Sequence, residues 1–415
     1  MLRRRAIEER YLETVAARRV TVLTGPRQAG KTTLVRGQLP ATGGVMRSLD
    51  EPGTLAAALA DPTAFAALDP KPLVIDEVQR GGEPLVRAIK ARVDRDRSPG
   101  QFVLTGSSNF LTVPTISESL AGRAGFVEVW PFSQGELADR TDRFIDLIFA
   151  EGPAPLVDRR WDGVTRRELL ERTCAGGYPE VHRLAPMQRS RWFADYVRTT
   201  IERDVVEMSG IRKVTETNQL LHLLAARSGG ELVMQSVIED SALERQAVYD
   251  RRAWLETIHL LATLPAWSRN LTRRVKRRPK VFVTDSGLAA WLLGKTVSAL
   301  EDPADPATGR LVETFVYAEL RRQLTWAQIE ATLFHWQDRN GAEVDFVLES
   351  SDGRVLAIEV KTGQTPKPEW FRWLAHMRDV LADKFIAGVA LYSGRDTLPF
   401  GERLLAVPIS ALWEL

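Results

Sequence analysis

The chain has 415 residues, a net charge of +2, 44% hydrophobic residues and 27% charged residues, which predicts a globular protein of two or three domains. A charge so close to neutral excludes binding to nucleic acid through a global basic field, so such binding has to come from local clusters. A single cysteine, Cys174, and five scattered histidines exclude a disulfide framework and a thiolate-rich zinc cage.

The amino-terminal sequence MLRRRAIEERYLETV is basic but has no apolar segment of signal-peptide length. Further along the chain, no apolar run is long enough to span a bilayer. We therefore expect a cytoplasmic protein that does not enter a membrane.

The first predicted strand, RRVTVLTG, leads into a glycine-rich loop and an amphipathic helix. Gly25 to Thr32 read GPRQAGKT, which fits the pattern GxxxxGKT in the strand–loop–helix context that this phosphate-binding pattern requires. In it, Lys31 reaches the β- and γ-phosphates and the Thr32 hydroxyl ligates magnesium. A glycine-rich turn that only caps a helix is the alternative. The residues expected to bind ATP are Gly25, Pro26, Arg27, Gln28, Ala29, Gly30, Lys31, Thr32, Thr33 and Ser107.

A second apolar strand, KPLVIDEVQR, ends in Asp76 and Glu77. After a phosphate-binding loop, Asp76 is placed to hold magnesium through water, and Glu77 is placed to orient or activate the attacking water. No guanine-specifying NKxD pattern is evident, which favours ATP over GTP as the nucleotide.

Three further strands are predicted, MRSLD, GQFVLTG and GFVEVWPF, and five strands alternating with helices indicate a doubly wound parallel sheet. GQFVLTG runs into Ser107, where a polar side chain either senses the γ-phosphate or belongs to an ordinary turn. Arg123 precedes the last strand. It is either an arginine finger, acting in its own or a neighbouring subunit, or a surface arginine.

The middle of the chain is predicted to be helical. Residues 151–162 are predicted to be a linker or a surface excursion, and the next helices a lid on the nucleotide domain. Three more helices followed by a β-hairpin predict a winged helix-turn-helix. A dense basic run crosses this hairpin. It predicts contact with DNA phosphates, with a solvated face or a protein-binding module as alternatives. Its members are Arg269, Arg273, Arg274, Lys276, Arg277, Arg278 and Lys280.

The sequence EVDFVLESSDGRVLAIEVK, from Glu343 to Lys361, predicts a second hairpin with acidic residues where strands usually carry Val or Ile. Alternation along a strand puts Glu359 and Lys361 on one face, within reach of Asp345. Together with Glu313 on the preceding helix, Asp345 and Glu359 would hold a divalent metal and Lys361 would assist a water molecule. A polar sheet edge is the alternative. The surrounding order of helices and strands is that of restriction-endonuclease-like folds.

Several segments carry a family resemblance: TGPRQAGKTTL, VIDEVQ, LTGSSNFL, SLAGR with WPFS, GGYPEV, ERDV, KVFVTDSGL, GRLVETFV, and EVDF with IEVK. Through them, the chain as a whole resembles a widespread prokaryotic family of P-loop ATPases of the extended AAA class with a C-terminal restriction-endonuclease-like core. The resemblance implies ATP hydrolysis by the first domain, a winged-helix middle and a PD-(D/E)xK-like C-terminal domain that points to DNA. Val344 stands where that motif has proline.

The sequence thus predicts an α/β protein with a P-loop ATPase core at residues 1–150, a linker and helical lid at 151–212, a winged helix at 213–295 and a PD-(D/E)xK-like domain at 296–415. The expected function is an ATPase using ATP and Mg²⁺ that remodels or translocates DNA, with nuclease activity left open. The alternative is a nucleotide-gated switch or a defence or toxin-like ATPase whose C-terminal domain binds a partner without cutting. A homo-oligomer, such as a ring, is expected because ATPases of this class commonly complete their site with a neighbour's arginine.

Overall fold

The computed structural model describes residues 3–106, 120–157, 159–205, 214–270, 274, 277–338 and 341–415. The chain folds into two compact units: the first comprises Met1–Pro131, Thr199–Arg212 and Thr257–His259, and the second comprises Phe132–Arg198, Lys213–Glu256 and Leu260–Leu415. Within the described residues, no helix combines the length and the apolar character that crossing a membrane takes. The predicted boundaries at residues 150, 212 and 295 remain predictions.

The first unit is built on a parallel sheet of five strands, as the sequence predicts. The strands are β1 (Val20–Thr24), β2 (Val45–Ser48), β3 (Leu73–Asp76), β4 (Phe102–Thr105) and β5 (Ala124–Glu128). Their order in the sheet is β2-β3-β4-β1-β5, and every neighbouring pair is parallel. All five residues of β1 are buried, which explains its unbroken β-branched and apolar sequence.

Helices pack against this sheet and form a hydrophobic core with it. The helices of the first unit are α1 (Glu8–Ala17), α2 (Lys31–Thr42), α3 (Pro52–Ala60), α4 (Pro62–Ala66) and α5 (Gly82–Arg95), with a 3₁₀ turn at Val78–Gly81. Helix α5 buries Leu85, Val86, Ile89 and Val93, which recur at helical spacing and join the core beside the strands. A short π-helical segment, Ile201–Val205, also belongs to this unit.

The second unit begins with helices. These are α6 (Gln134–Leu137), α7 (Phe144–Glu151), α8 (Ala154–Val157), α9 (Arg166–Ala175), α10 (Pro186–Thr200, whose last two residues are part of the first unit), α11 (Val214–Ala225), α12 (Met234–Ser241) and α13 (Arg245–Thr257, whose last residue is part of the first unit), with a 3₁₀ turn at Val181–Arg183. Strands β6 (Leu261–Leu264) and β7 (Lys280–Val283) then pair antiparallel as a two-stranded ribbon. Three helices followed by a ribbon is the order expected of a winged helix.

The remainder of the second unit is organised around a mixed sheet. Its helices are α14 (Ser286–Leu292), α15 (Val297–Leu300), α16 (Ala307–Trp326), α17 (Arg372–Leu381) and α18 (Ala411–Glu414), with 3₁₀ turns at Pro368–Phe371 and Ala382–Lys384. Its strands are β8 (Ala331–Gln337), β9 (Glu343–Ser350), β10 (Val355–Val360), β11 (Phe385–Tyr392), β12 (Leu398–Pro399) and β13 (Leu404–Pro408).

The six strands lie in the order β12-β13-β11-β10-β9-β8. Strands β8, β9 and β10 are antiparallel neighbours, whereas β11 runs parallel to both β10 and β13. The predicted hairpin from Glu343 to Lys361 is therefore confirmed as β9 and β10, joined by a turn in which Gly353 has a φ of 80°. Helix α17 covers the sheet with Leu374, Met377 and Leu381.

One buried carboxylate, that of Asp285, joins three distant segments of the second unit. Its Oδ1 caps α14 by accepting hydrogen bonds from the N–H groups of Gly287 (3.0 Å) and Leu288 (3.1 Å). Its Oδ2 accepts from the N–H of Gly177 (2.8 Å) and from Nη2 of Arg322 on α16 (3.0 Å). The side chains of Asp285 and Arg322 are both almost fully buried, so their charges depend on each other.

Helix α16 also connects the beginning and the end of the second unit. The Gln323 amide donates to the carbonyl of Leu412 at 2.6 Å, and the indole N–H of Trp326 donates to the carbonyl of Asp142 at 3.0 Å. The N–H of Arg143 donates to the carbonyl of Leu415 at 2.9 Å. Residues more than 250 positions apart in the sequence are thereby joined.

Replacing Asp285 by alanine is expected to lower the stability of the second unit by about 3–5 kcal/mol. The buried Arg322 would keep only Glu319 as a charged partner among the described residues, and the N–H groups of Gly177 and of the amino end of α14 would lose their acceptor. Urea denaturation followed by tryptophan fluorescence measures this, since every tryptophan except Trp130 belongs to the second unit. The exposed Asp383→Ala is the matched control and should change stability by less than about 0.5 kcal/mol. Equal stability of the two variants would contradict the role given to Asp285.

Candidate functional site

The loop between β1 and α2 has the backbone geometry of a phosphate cradle. Gly25 has a φ of 128°, and a Cβ placed there would lie 2.1 Å from the carbonyl oxygen of Val129, so only glycine fits. Gln28 and Gly30 also adopt positive φ values, 59° and 95°. Gly30 precedes α2 and contributes no side-chain cap, which leaves the N–H groups at the helix N-terminus for an anionic ligand.

The ammonium group of Lys31 lies over this loop. Its Nζ donates hydrogen bonds to the carbonyl oxygens of Gly25 at 2.7 Å and Pro26 at 2.8 Å. Lys31 is the first residue of α2, so its charge is held at the positive end of the helix dipole. This position is suited to a lysine that meets the phosphates of a bound nucleotide.

Asp76, at the end of β3, gathers two hydroxyl groups. Thr32 Oγ1 donates toward both carboxylate oxygens, at 3.3 and 3.4 Å, and Thr105 Oγ1 donates to Oδ1. Carboxylate and hydroxyl oxygens are the hard ligands that Mg²⁺ prefers. The three residues therefore fit the magnesium ion of a magnesium–nucleotide complex, with Thr32 and Asp76 in the positions that the sequence predicts.

Sequence reasoning missed Thr105. This residue ends β4, the neighbour of β3 in the sheet, and its hydroxyl orients the Asp76 carboxylate. The signal that would have found it is the parallel pairing, because the carboxyl ends of adjacent parallel strands lie side by side.

Glu77 follows Asp76 in a left-handed backbone conformation, with a φ of 53°. Non-glycine residues in this conformation are concentrated at functional sites. Its carboxylate accepts a hydrogen bond from the Gln79 side-chain amide. Gln79 therefore fixes the direction of Glu77, a positioning role that the motif itself did not reveal.

A buried arginine from the amino-terminal segment supports the same loop. Nη1 of Arg5 donates to the carbonyl of Ala29 at 2.9 Å, and Nη2 donates to the carbonyl of Trp130 at 2.6 Å. Arg5 thus ties the phosphate-binding loop to the segment that follows β5. Nothing in the sequence motif points to it, because the partner carbonyls are backbone atoms 24 and 125 residues away.

The predicted finger, Arg123, is paired with Asp94 on α5. Nε donates to Oδ1 at 2.5 Å and Nη2 donates to Oδ2 at 2.9 Å, and the hydrogen bond from Arg123 lowers the pKa of the Asp94 carboxyl. Its described hydrogen bonds do not include the loop from Gly25 to Thr32. The other predicted sensor, Ser107, lies outside the described residues.

The C-terminal carboxylates are gathered as the sequence predicts, around the β9–β10 hairpin. Asp345 on β9 accepts a hydrogen bond from the N–H of Val360 at the end of β10, at 2.8 Å. Glu359 forms an ion pair with Lys361 at 2.6 Å. Glu313 approaches from α16 and completes the predicted set.

The cation among these carboxylates is a lysine from β7. Lys280 Nζ lies 2.7 Å from Glu313, 2.5 Å from Glu343 and 3.6 Å from Asp345, and its side chain is only 1% exposed. Within the described residues, no three His, Cys, Asp or Glu side chains are arranged to hold a metal ion. With an ammonium group at this position, the residues do not fit a divalent metal. The catalytic roles given to Glu313, Asp345, Glu359 and Lys361 remain predictions.

Burial and mutual repulsion shape the electrostatics of this cluster. Burial raises the pKa of Glu313 and of Glu359 to about 8, and the charge of Asp345 adds to the effect. Burial by itself would lower the pKa of Lys280, but the charges of Glu313, Asp345 and Glu343 outweigh it and raise that pKa. Lys280 is therefore a charged ammonium at neutral pH.

The prediction that Lys280 contacts DNA is wrong, because its side chain is buried in these ion pairs. Arg274 is also turned inward: it pairs with Glu349 at 2.7 Å and is 15% exposed. Arg277 donates to the carbonyl of Gln337 on β8. Arg278 is exposed, whereas Arg273 and Lys276 lie outside the described residues.

Three parts of the chain match known protein families. Residues 17–138 match an AAA domain, residues 166–299 a domain of unknown function (DUF8612), and residues 308–412 another domain of unknown function (DUF4143). The chain is also similar to uncharacterized proteins of Mycobacterium tuberculosis and Mycobacterium bovis, each 29% identical over 98% of this chain and 84% of the relative. With the loop geometry, the first match identifies a P-loop ATPase domain. The restriction-endonuclease-like description of the C-terminal part remains a prediction.

The chain has a distant likeness to a number of solved structures. The Walker-type ATPase of Pyrococcus abyssi is 17% identical, with 70% of this chain and 96% of that chain covered and a TM-score of 0.42. The Holliday junction branch migration motor RuvB of Thermotoga maritima is 18% identical, with 65% and 93% covered and a TM-score of 0.28. Both scores are low, so the description of the fold rests on the strand order itself.

Replacing Thr105 by valine keeps the shape of the side chain but removes the hydroxyl that orients Asp76. We expect ATP hydrolysis to fall about 10–100-fold, as is typical when a residue behind a metal ligand is lost. Thr21→Val is the matched control, since Thr21 lies buried in the same sheet and its hydroxyl has no hydrogen-bond partner among the described residues. Steady-state ATPase rates of the two variants measure the difference, and equal rates would contradict the role of Thr105.

Proposed function

We propose that this protein is a Mg²⁺-dependent ATPase that uses ATP hydrolysis to remodel or translocate DNA. The observation that carries the ATPase part is the convergence of Thr32, Thr105 and Asp76 beside the loop under Lys31. Cleavage of DNA at the C-terminal carboxylates is left out of the proposal, because Lys280 occupies the cation position there.

The chemistry at the nucleotide site follows from the side chains. The loop N–H groups and Lys31 bind the phosphates and offset their charge, while Thr32 and Asp76 would hold the magnesium ion. When bound, Mg²⁺ would neutralise part of the negative charge of the phosphates. Glu77, held by Gln79, orients the attacking water and accepts its proton.

Support for DNA as the partner comes from the winged-helix part of the second unit. Helices α11, α12 and α13 precede the ribbon, and the amino end of α13 exposes Arg245 and Gln246. Arg269 and Arg278 are exposed on either side of the ribbon loop. Since the net charge of the chain is only +2, contact through these groups should weaken steeply as salt rises.

A second candidate is a nucleotide-gated switch whose C-terminal part binds another protein and cuts nothing. Arg274, Arg277 and Lys280, nearly half of the predicted basic run, are bound to the C-terminal sheet or the helix before it. This use of the basic residues inside the protein favours the second candidate. Its hydrolysis would be slow and indifferent to DNA.

ATP hydrolysis by the wild type is expected to require Mg²⁺, to rise on addition of single-stranded, duplex or branched DNA, and to lose that rise at high salt. Lys31→Ala should abolish hydrolysis, because the phosphates lose their cation. Lys367→Ala, which removes an exposed lysine of the second unit, is the control and should behave as the wild type. Hydrolysis that is the same with and without every DNA tested would reject the DNA proposal. A change of oligomeric state between ATP and ADP would then support the switch.

We also propose a homo-oligomer in which Arg123 leaves Asp94 and completes the ATP site of a neighbouring subunit. Arg123→Ala should lower kcat by a factor on the order of 10³. Mixing it with Lys31→Ala should restore activity, since the Lys31 variant still supplies Arg123 to an intact loop. Mixing Arg123→Ala with the double variant that carries both Lys31→Ala and Arg123→Ala should restore no activity. If both mixtures are inactive, or if Arg123→Ala keeps full activity, an arginine acting between subunits is ruled out.

A further inference from the structure

The C-terminal carboxylate cluster has a cation of its own. Glu313, Glu343 and Asp345 come from α16 and β9, and all three lie within 3.6 Å of Lys280 Nζ. A second ammonium group, that of Lys361, pairs with Glu359 beside them. Lys280 therefore places a positive charge at the position that a divalent ion would have in a carboxylate site.

The position of Lys280 is built into the fold, because the whole ribbon is held against the mixed sheet. The N–H of Trp267 donates to the carbonyl of His335 at 2.6 Å, and the N–H of His335 donates to the carbonyl of Pro265 at 3.1 Å. These bonds extend the sheet beyond β8 with the segment that follows β6. His335 Nε2 is also hydrogen-bonded, at 3.1 Å, to the carbonyl of Arg278, two residues before Lys280.

Side chains of the ribbon loop add to this attachment. Arg274 pairs with Glu349 at the end of β9 and lies over the ring of Phe334, with its guanidinium carbon 4.8 Å from the ring centre. Arg277 binds the carbonyl of Gln337 at the end of β8. These contacts fix the ribbon on the amino-terminal side of Lys280 and so hold this residue beside the carboxylates.

We propose that Lys280 is a built-in counter-ion that takes the place of a divalent metal in this cluster. The protein as it stands binds no divalent cation there. Replacing Lys280 by a neutral side chain of similar length converts the cluster into a divalent-cation site. The carboxylate oxygens of Glu313, Glu343 and Asp345 would then surround a position that has lost its positive charge. Such oxygens are the hard ligands that divalent cations prefer.

The test is Mn²⁺ binding by full-length protein without nucleotide, measured by isothermal titration calorimetry and by the electron paramagnetic resonance signal of free Mn²⁺. All proteins carry Asp76→Asn, which removes the magnesium ligand of the nucleotide site and keeps this test separate from the ATPase proposal. Adding Lys280→Met should create one bound Mn²⁺ per chain, and further adding Asp345→Asn should remove it. Lys280→Arg, which keeps the positive charge, should bind none at the cluster.

Lys295→Met is the matched control, because Lys295 is also ion-paired, at 2.6 Å, but has Asp305 as its one ion-pair partner among the described residues. It should gain no Mn²⁺. A folded Lys280→Met protein that gains no Mn²⁺ overturns the proposal. The Asp76→Asn protein with Lys280 intact provides a second test, which does not depend on whether Lys280→Met folds. If this protein binds Mn²⁺ and loses it on adding Asp345→Asn, the metal binds the cluster with Lys280 present, and the proposal is overturned.

Discussion

The carboxylate of Asp285 is the constraint on which the second unit depends. Its four hydrogen bonds reach the N–H of Gly177, the amino end of α14 and Arg322 on α16, and both charged side chains are buried. Because a buried charge is tolerated only when its partners are in place, these segments have to be assembled together or not at all. The helices, the ribbon and the mixed sheet are therefore one compact unit, although each has the sequence pattern of a separate domain.

The two carboxylate centres of the chain differ in what surrounds them. Asp76 receives hydrogen bonds from neutral hydroxyl groups of Thr32 and Thr105, so its negative charge remains to attract a cation. Asp345 lies near the ammonium group of Lys280 and accepts a hydrogen bond from the backbone of Val360. The same residue type is thus open to a metal in the first unit and neutralised in the second. Residue types alone do not distinguish these outcomes.

Much of the fold could be predicted because its signals are local. The loop from Gly25 to Thr32, the strand ending in Asp76 and the hairpin from Glu343 to Lys361 each lie within one short segment whose spacing has a physical meaning. The contacts that were missed join distant segments. Thr105 meets Asp76 across the sheet, 29 residues away, and Lys280 meets Glu313 33 residues away. The basic run was assigned to DNA because sequence gives charge but not burial.

The bonds made by Leu412 and Leu415 have a consequence for synthesis on the ribosome. Strands β1 to β5 are complete by Glu128, so the parallel sheet has all its members early in translation. In the second unit, the side-chain amide of Gln323 and the N–H of Arg143 donate hydrogen bonds to carbonyl groups of residues 412–415, which follow the last strand in the chain. Contacts of such large sequence separation form late, and until then α16 and the strands around it have exposed apolar surface. During synthesis there is therefore a period in which the parallel sheet of the first unit is complete, while the second unit still exposes apolar surface that a chaperone could bind.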